Sequence, residues 1–282
     1  MNGPTAIDAL LPDEMAKTAE RIGVAKTQLE PTRLLTLAVL AGAFIAFGAL
    51  ASSIALAGAD GAMPYGIARL IAGIAFSVGL ILVVVGGAEL FTGNNLMVMA
   101  WAGGEIRLRD LARAWTIVYV GNFVGAAATA ALVFAAGAHE AGNGAVGAAA
   151  LATARAKAEL PFLAAVANGI LGNVLVCLAV WLCYSARTTA DRILAIVPPI
   201  ATFVAAGFEH SVANMYVLPH AILVMDWAPA AFWTAIGEDR AAYASIDGMA
   251  LVSNLIPVTL GNIIGGGVLV GAVYWFVYLR RR

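Results

Sequence analysis

Two polar segments inside long apolar runs constrain this chain more than any other feature. They are Gly87-Ala-Glu-Leu-Phe-Thr-Gly-Asn94 and Gly207-Phe-Glu-His-Ser-Val-Ala-Asn214, and both read Gly-x-Glu-x-x-x-x-Asn. An ionisable side chain at membrane depth is costly and marks a pathway for an ion or a proton. Two matching segments predict a duplicated unit with one polar break in each half.

The surrounding sequence fits a bilayer. The chain is 62% hydrophobic and 12% charged, with a mean hydropathy of +0.89, far from a soluble composition. Apolar runs long enough to span recur at Leu34–Gly58, Tyr65–Trp101, Leu111–Ala138, Phe162–Ser185, Ile193–Leu218 and Leu251–Leu279. The second run would be about 55 Å long as one helix, against a hydrocarbon core of about 30 Å. Gly86, Gly87, Gly93, Asn94 and Asn95 predict where it breaks. The fifth run is interrupted at Gly207–Ser211 and followed by Pro219.

Six spans put both termini on one side. Lys17, Arg21, Lys26, Arg33, Arg107, Arg109, Arg113, Arg187, Arg192 and Arg280–Arg282 then share that side, with Arg69, Arg155, Lys157 and Arg240 opposite. The positive-inside rule makes the richer side cytoplasmic. Glu89 and Glu209 are the only acids inside the spans. The net charge of −1 says nothing about nucleic acid, and no basic patch suggests it, so no nucleic-acid partner is expected.

Met1–Pro31 lacks the continuous apolar core of a signal peptide. Ile7, Leu10, Leu11, Met15, Ala19, Ile22 and Leu29 recur at helical spacing among polar residues. Residues 1–31 are therefore expected to form a cytoplasmic amphipathic helix, on the membrane face or under a pore. Residues 32–282 form the transport domain, with halves at about 32–138 and 160–282.

Gly121-Asn-Phe-Val-Gly125 and Gly261-Asn-Ile-Ile-Gly265 recur in the third and sixth spans, and Gly172-Asn173 lies in the fourth. Close helix packing accounts for these pairs, with Asn173 the exception. Three spans per half insert the halves with opposite topology, so both second half-helices point their N-termini and free N–H groups at the centre, an arrangement that favours an anion. Cys177 and Cys183 lie on different faces of one helix and read as packing residues.

Glu89-Leu-Phe-Thr-Gly-Asn94, Gly207-Phe-Glu-His-Ser-Val-Ala-Asn-Met215 and Asn254-Leu-Ile-Pro-Val-Thr-Leu-Gly-Asn-Ile-Ile-Gly-Gly266 resemble the formate–nitrite transporter family, over about Ile22 to Arg282. Met63-Pro-Tyr-Gly66 and the Tyr274-Trp-Phe-Val-Tyr-Leu279 ending lean toward its formate channels, although Glu89 stands where those often carry Asp.

The resemblance implies a homopentamer of aquaporin-like, all-α protomers: six transmembrane helices in a 3+3 inverted repeat, with broken second and fifth helices. An omega-shaped loop is expected at Glu89–Asn95 and an S-shaped loop at about Glu209–Asn214. The implied function is bidirectional, proton-linked passage of formate across the cytoplasmic (inner) membrane. Nitrite, hydrosulfide, acetate or lactate on the same fold is the alternative.

The matching positions imply that His210 faces the pore centre and serves proton transfer or anion stabilisation. Thr92 and Asn173 would be further polar groups on the path, and Lys157 would attract the anion at the outer mouth, with snorkelling the plain alternative. Phe76, Leu80, Leu90, Phe91 and Phe203 would form two hydrophobic constrictions around the histidine. Glu89, Glu209, Asn94, Asn214 and Asn262 read as structural polar groups at the breaks, the carboxylates accepting N–H bonds from interrupted backbone.

Rival classes predict features this sequence lacks. A water pore calls for paired Asn-Pro-Ala boxes. A membrane enzyme calls for a ligand cluster or a nucleophile–base pair, and the three histidines, His139, His210 and His220, are scattered. No metal or cofactor is expected.

Overall fold

A computed structural model describes residues 9–280. Ile7 and the terminal Arg281 and Arg282, used above, lie outside the described residues. Among those described, every regular element is helical.

Helix α1 (Pro12–Thr27) opens with proline at its first position and Asp13 and Glu14 in its first turn, matching the helix dipole. Its Met15, Ala16 and Ala19 are buried against Met99 and Trp181, so it docks under the bundle rather than lying along the membrane face. Helix α2 (Pro31–Leu56) follows, capped by the Glu30 carboxylate on the Arg33 N–H at 3.0 Å.

The long second run breaks as its length requires. Helix α3 (Tyr65–Gly86) ends where Gly87 turns left-handed at φ +80°. A non-helical stretch leads into a 3₁₀ turn at Gly93–Met97 and the short α4 (Val98–Ala102). Helix α5 (Leu108–Ala135) closes the first half.

The second half repeats this order: α7 (Phe162–Ser185), α8 (Thr189–Ala205), a break containing Gly207 at φ +75°, and α9 (Ser211–Trp227). The last span is α-helical over Gly248–Asn262 (α11), π-helical over Ile263–Ala272, and α-helical again over Val273–Tyr278 (α12). Between the halves lies α6 (Ala145–Ala158), and α9 turns by 111° into α10 (Ala230–Ile236).

Among the described residues, five helical stretches are long and apolar enough to span alone, counting the whole last stretch as one. The sixth candidate is α9 taken together with the sharply bent α10, and α8, the second break and α9 follow the order of α3, the first break and α4. Backbone approach within each half is set by glycine. A Cβ on Gly125 would overlap the Val39 carbonyl oxygen of α2, and a Cβ on Gly265 the Ile170 carbonyl oxygen of α7.

Two expectations need correction. The second break ends at His210, so Ser211–Asn214 are already helical. The fifth span continues through Pro219 to Trp227, because packed neighbours accommodate a proline that a free helix would not. The connection between the halves contains α6.

Candidate functional site

The site lies where the two breaks meet. His210 precedes α9 in extended backbone (φ −137°, ψ 115°), and its Nδ1 accepts the Ala213 N–H at 3.0 Å. The ring therefore caps its own helix. Its other nitrogen, Nε2, is 2.8 Å from Thr92 Oγ1 in the opposite break. A backbone N–H can only donate, so Nδ1 carries no proton. The proton of the neutral ring then sits on Nε2 and is donated to Thr92. This leaves the Thr92 hydroxyl hydrogen available to an acceptor. Both residues are buried, His210 at 2% exposure and Thr92 at 0%.

Apolar side chains flank the pair on two sides. A cavity of about 230 Å³ on the α1 side is lined by Leu80 and Leu90, with Ala19, Ile22, Gly23 and Lys26 of α1. A larger one of about 910 Å³ on the α6 side is lined by Phe76, Phe203, His210 and Lys157. Phe76 and Phe203 meet edge to face at 5.8 Å, and Phe203 meets the His210 ring at 5.9 Å. The Phe91 ring lies elsewhere, packed against Trp115 and Tyr119 of α5. It lines neither cavity.

Asn173 also lines neither cavity. It is fully buried behind the first break, and its Nδ2 lies within hydrogen-bond reach of Thr92 O (3.3 Å), Asn95 Oδ1 (2.8 Å) and Asn262 O (2.7 Å). Cys177 Sγ donates to the same Thr92 carbonyl at 3.3 Å. These two residues of α7 brace the loop that presents the Thr92 hydroxyl.

The glutamates are satisfied by side chains, not by the interrupted backbone. Glu89 Oε2 accepts from Lys26 Nζ and from Asn94 Nδ2, both at 2.9 Å. Glu209 Oε1 accepts from Lys157 Nζ at 2.7 Å, and its Oε2 from Asn214 Nδ2. Asn254 completes the second cluster, accepting from Asn214 at 2.7 Å and donating to Lys157 O at 3.0 Å. A lysine–glutamate–asparagine group thus stands at each break, because a carboxylate at this depth needs a cation beside it.

Several N–H groups expected to meet an anion are already taken. Phe91 N–H donates to Asn122, Ser211 N–H to Asn262, Ala213 N–H to His210 and Asn94 N–H to Leu90 O. Charge for an anion therefore comes from side chains more than from helix ends. Arg69 lines the α6-side cavity and donates to Val204 O at 2.6 Å.

Lys26 was missed from sequence, although a signal existed. A lysine stands shortly before the proline that opens each half, Lys26 before Pro31 and Lys157 before Pro161.

Comparison with known proteins gives this geometry a family. The chain is 46% identical to the formate channel FocA of Escherichia coli K12, covering 99% of this chain and 98% of that one. It is 40% identical to the FocA of Haemophilus influenzae over 93% of both. A solved structure described as a pentameric formate channel with formate bound superposes with a TM-score of 0.84 at 42% identity, covering 89% of this chain and 98% of that one. The formate/nitrite transporter family matches across residues 13–276, and this chain is a member of it.

Proposed function

We propose that the chain is a bidirectional formate channel, assembled as a homopentamer in the cytoplasmic membrane with both termini inside. The observation that carries this reading is the buried Thr92–His210 pair, near one cavity lined by Leu80 and Leu90 and another lined by Phe76 and Phe203, which we take as the two constrictions. The relatives named above are formate channels, which supports formate as the substrate and the pentamer as the assembly.

Magnitudes decide the form in which the substrate crosses. Moving a bare carboxylate into a dry slit costs on the order of tens of kcal/mol by the idealised Born estimate. Protonating an acid of pKa about 3.5 at neutral pH costs roughly 4–5 kcal/mol. Protonation is the cheaper route. The anion enters a chamber, takes up a proton as water thins, and passes the slits as the neutral acid. Between the slits it exchanges hydrogen bonds with the fixed Nε2–H of His210 and the Thr92 hydroxyl. His210 acts as a donor that keeps its proton, since a second proton at Nδ1 would face the Ala213 N–H. Lys26 and Lys157, each beside a glutamate, soften the charge barrier of the two chambers. Helix α1 forms the floor of the inner chamber.

The test is formate uptake into proteoliposomes at a series of pH values, with nitrite, lactate and chloride as competitors. Wild type and His210→Asn should both conduct, with flux following the acid fraction at about tenfold per pH unit. Loss of that slope in the variant would make His210 the proton source. Flux dominated by nitrite or lactate would replace formate as the substrate.

A further inference from the structure

Asn122 of α5 and Asn262 of α11 are fully buried and make the same three bonds in opposite halves. Asn122 Nδ2 donates to Ala38 O of α2 at 2.7 Å and to Glu89 O at 2.9 Å, while its Oδ1 accepts the Phe91 N–H at 2.9 Å. Asn262 Nδ2 donates to Gly169 O of α7 at 2.8 Å and to Glu209 O at 3.1 Å, while its Oδ1 accepts the Ser211 N–H at 2.9 Å. In each case the amide grips the carbonyl before one residue and the N–H after it, and ties both to the first span of its half. The residue so enclosed is Leu90 in one half and His210 in the other. A primary amide suits the task because it offers two donors and an acceptor in one plane, which neither aspartate nor serine does.

We propose that Asn122 and Asn262 are matched positioning residues that fix the backbone of Leu90 and His210 across the path. Asn262 thereby holds the imidazole with Nδ1 on the Ala213 N–H and its single proton on Nε2, aimed at Thr92. The His210 backbone is extended where α9 is about to begin, the non-helical conformation typical of a capping residue, and the cap bond is made in it. The two bonds from Asn262 keep it there, because the flanking carbonyl and N–H have their partners outside the helix. Close packing of Gly-Asn pairs does not predict this, since packing asks nothing of the amide orientation. The inference deepens the reading of His210 as a fixed donor on the formate path and rests on it.

The test is spectroscopic and needs no substrate. Protein labelled with ¹⁵N-histidine is reconstituted in bilayers, and the Nδ1 and Nε2 shifts report which nitrogen carries the proton. The missing signal in His210→Asn assigns His210 among the three histidines. Wild type should show His210 as the Nε2–H tautomer alone. Asn262→Ala and Asn262→Ser should show a mixture of tautomers, and Asn122→Ser should leave the His210 signal unchanged. Assembled Asn262 variants with the wild-type signal would overturn the proposal, as would an Asn122→Ser spectrum altered to the same degree. Failure of all three variants to assemble would also overturn it, reducing both amides to struts of the fold. A wild type without formate flux would sink the substrate assignment and leave the tautomer result standing.

Discussion

Replacing Lys157 by methionine strips the Glu209 carboxylate of its cation while keeping most of the side-chain volume. The pair is 2.7 Å apart, with 15% of the lysine side chain and 4% of the glutamate side chain exposed. At an effective dielectric of about 20, two unit charges at that distance attract by roughly 6 kcal/mol before desolvation is counted. Much of this offsets the burial of both ions, so the pair adds little net stability over an apolar replacement of both. Breaking it is a different matter. The stranded carboxylate keeps Asn214 as a donor but loses its compensating charge, and the expected loss is about 3–5 kcal/mol. Glu209→Gln in the same chain removes the stranded charge and should recover most of that loss. Lys26→Met should cost less, because Lys26 and Glu89 are 23% and 10% exposed and water screens them better. The assay is a double-mutant cycle read by unfolding in mixed micelles of rising SDS fraction, with oligomer size followed in parallel. Additive single-mutant effects, within about 0.5 kcal/mol, would refute the coupling. A Lys157→Met protein as stable as wild type would refute the burial argument itself.

Other perturbations test separate parts of the structure. His210→Ala should destabilise by about 0.5–2 kcal/mol through loss of the cap on α9, and His210→Asn should retain most of that cap, both read in the same micelle titration. Gly265→Ala should prevent assembly, visible by size-exclusion chromatography, because its methyl group would meet the Ile170 carbonyl. His139, between α5 and α6, is buried and stacked on Phe134 at 4.7 Å, with no hydrogen-bond partner at either ring nitrogen. Burial holds its pKa below the ordinary histidine value, against a smaller upward pull from Glu140. A depressed base favours unfolding in acid, so its penalty is absent above pH about 6.5 and grows below it. His139→Phe should flatten the loss of thermal stability on acidification.

The spans and their breaks were legible because bilayer thickness limits helix length and glutamate at that depth admits few explanations. Phe162–Ser185 has the same ends in sequence and structure. The start of α9 was not legible, because His210 caps it through a side chain whose reach depends on the break itself. The π-helical stretch at Ile263–Ala272 reads as ordinary helix in sequence, and the close approach of its Gly266 to Asn173 and Cys177 involves another span. Asn173 and Phe91 were assigned to the path by resemblance, and the structure turns both toward packing partners. The lysine partners of Glu89 and Glu209 were hidden by distance in the chain, for Lys26 lies in the helix before the first span and Lys157 in the one before the fourth.

The placement of these bonds bears on biosynthesis. Lys26, Glu89, Asn94 and Asn122 satisfy one another and their neighbouring peptides within the N-terminal half of the chain. Lys157, Glu209, Asn214, Asn254 and Asn262 bond among themselves and to neighbouring peptides within the C-terminal half. The first half can therefore enter the bilayer with its buried charge neutralised while the second is still on the ribosome. What waits for the second half is the Thr92 loop, whose hydroxyl meets His210 and whose carbonyl meets Asn173 and Cys177. Each half's charge balance closes within itself, whereas the Thr92–His210 contact needs both halves.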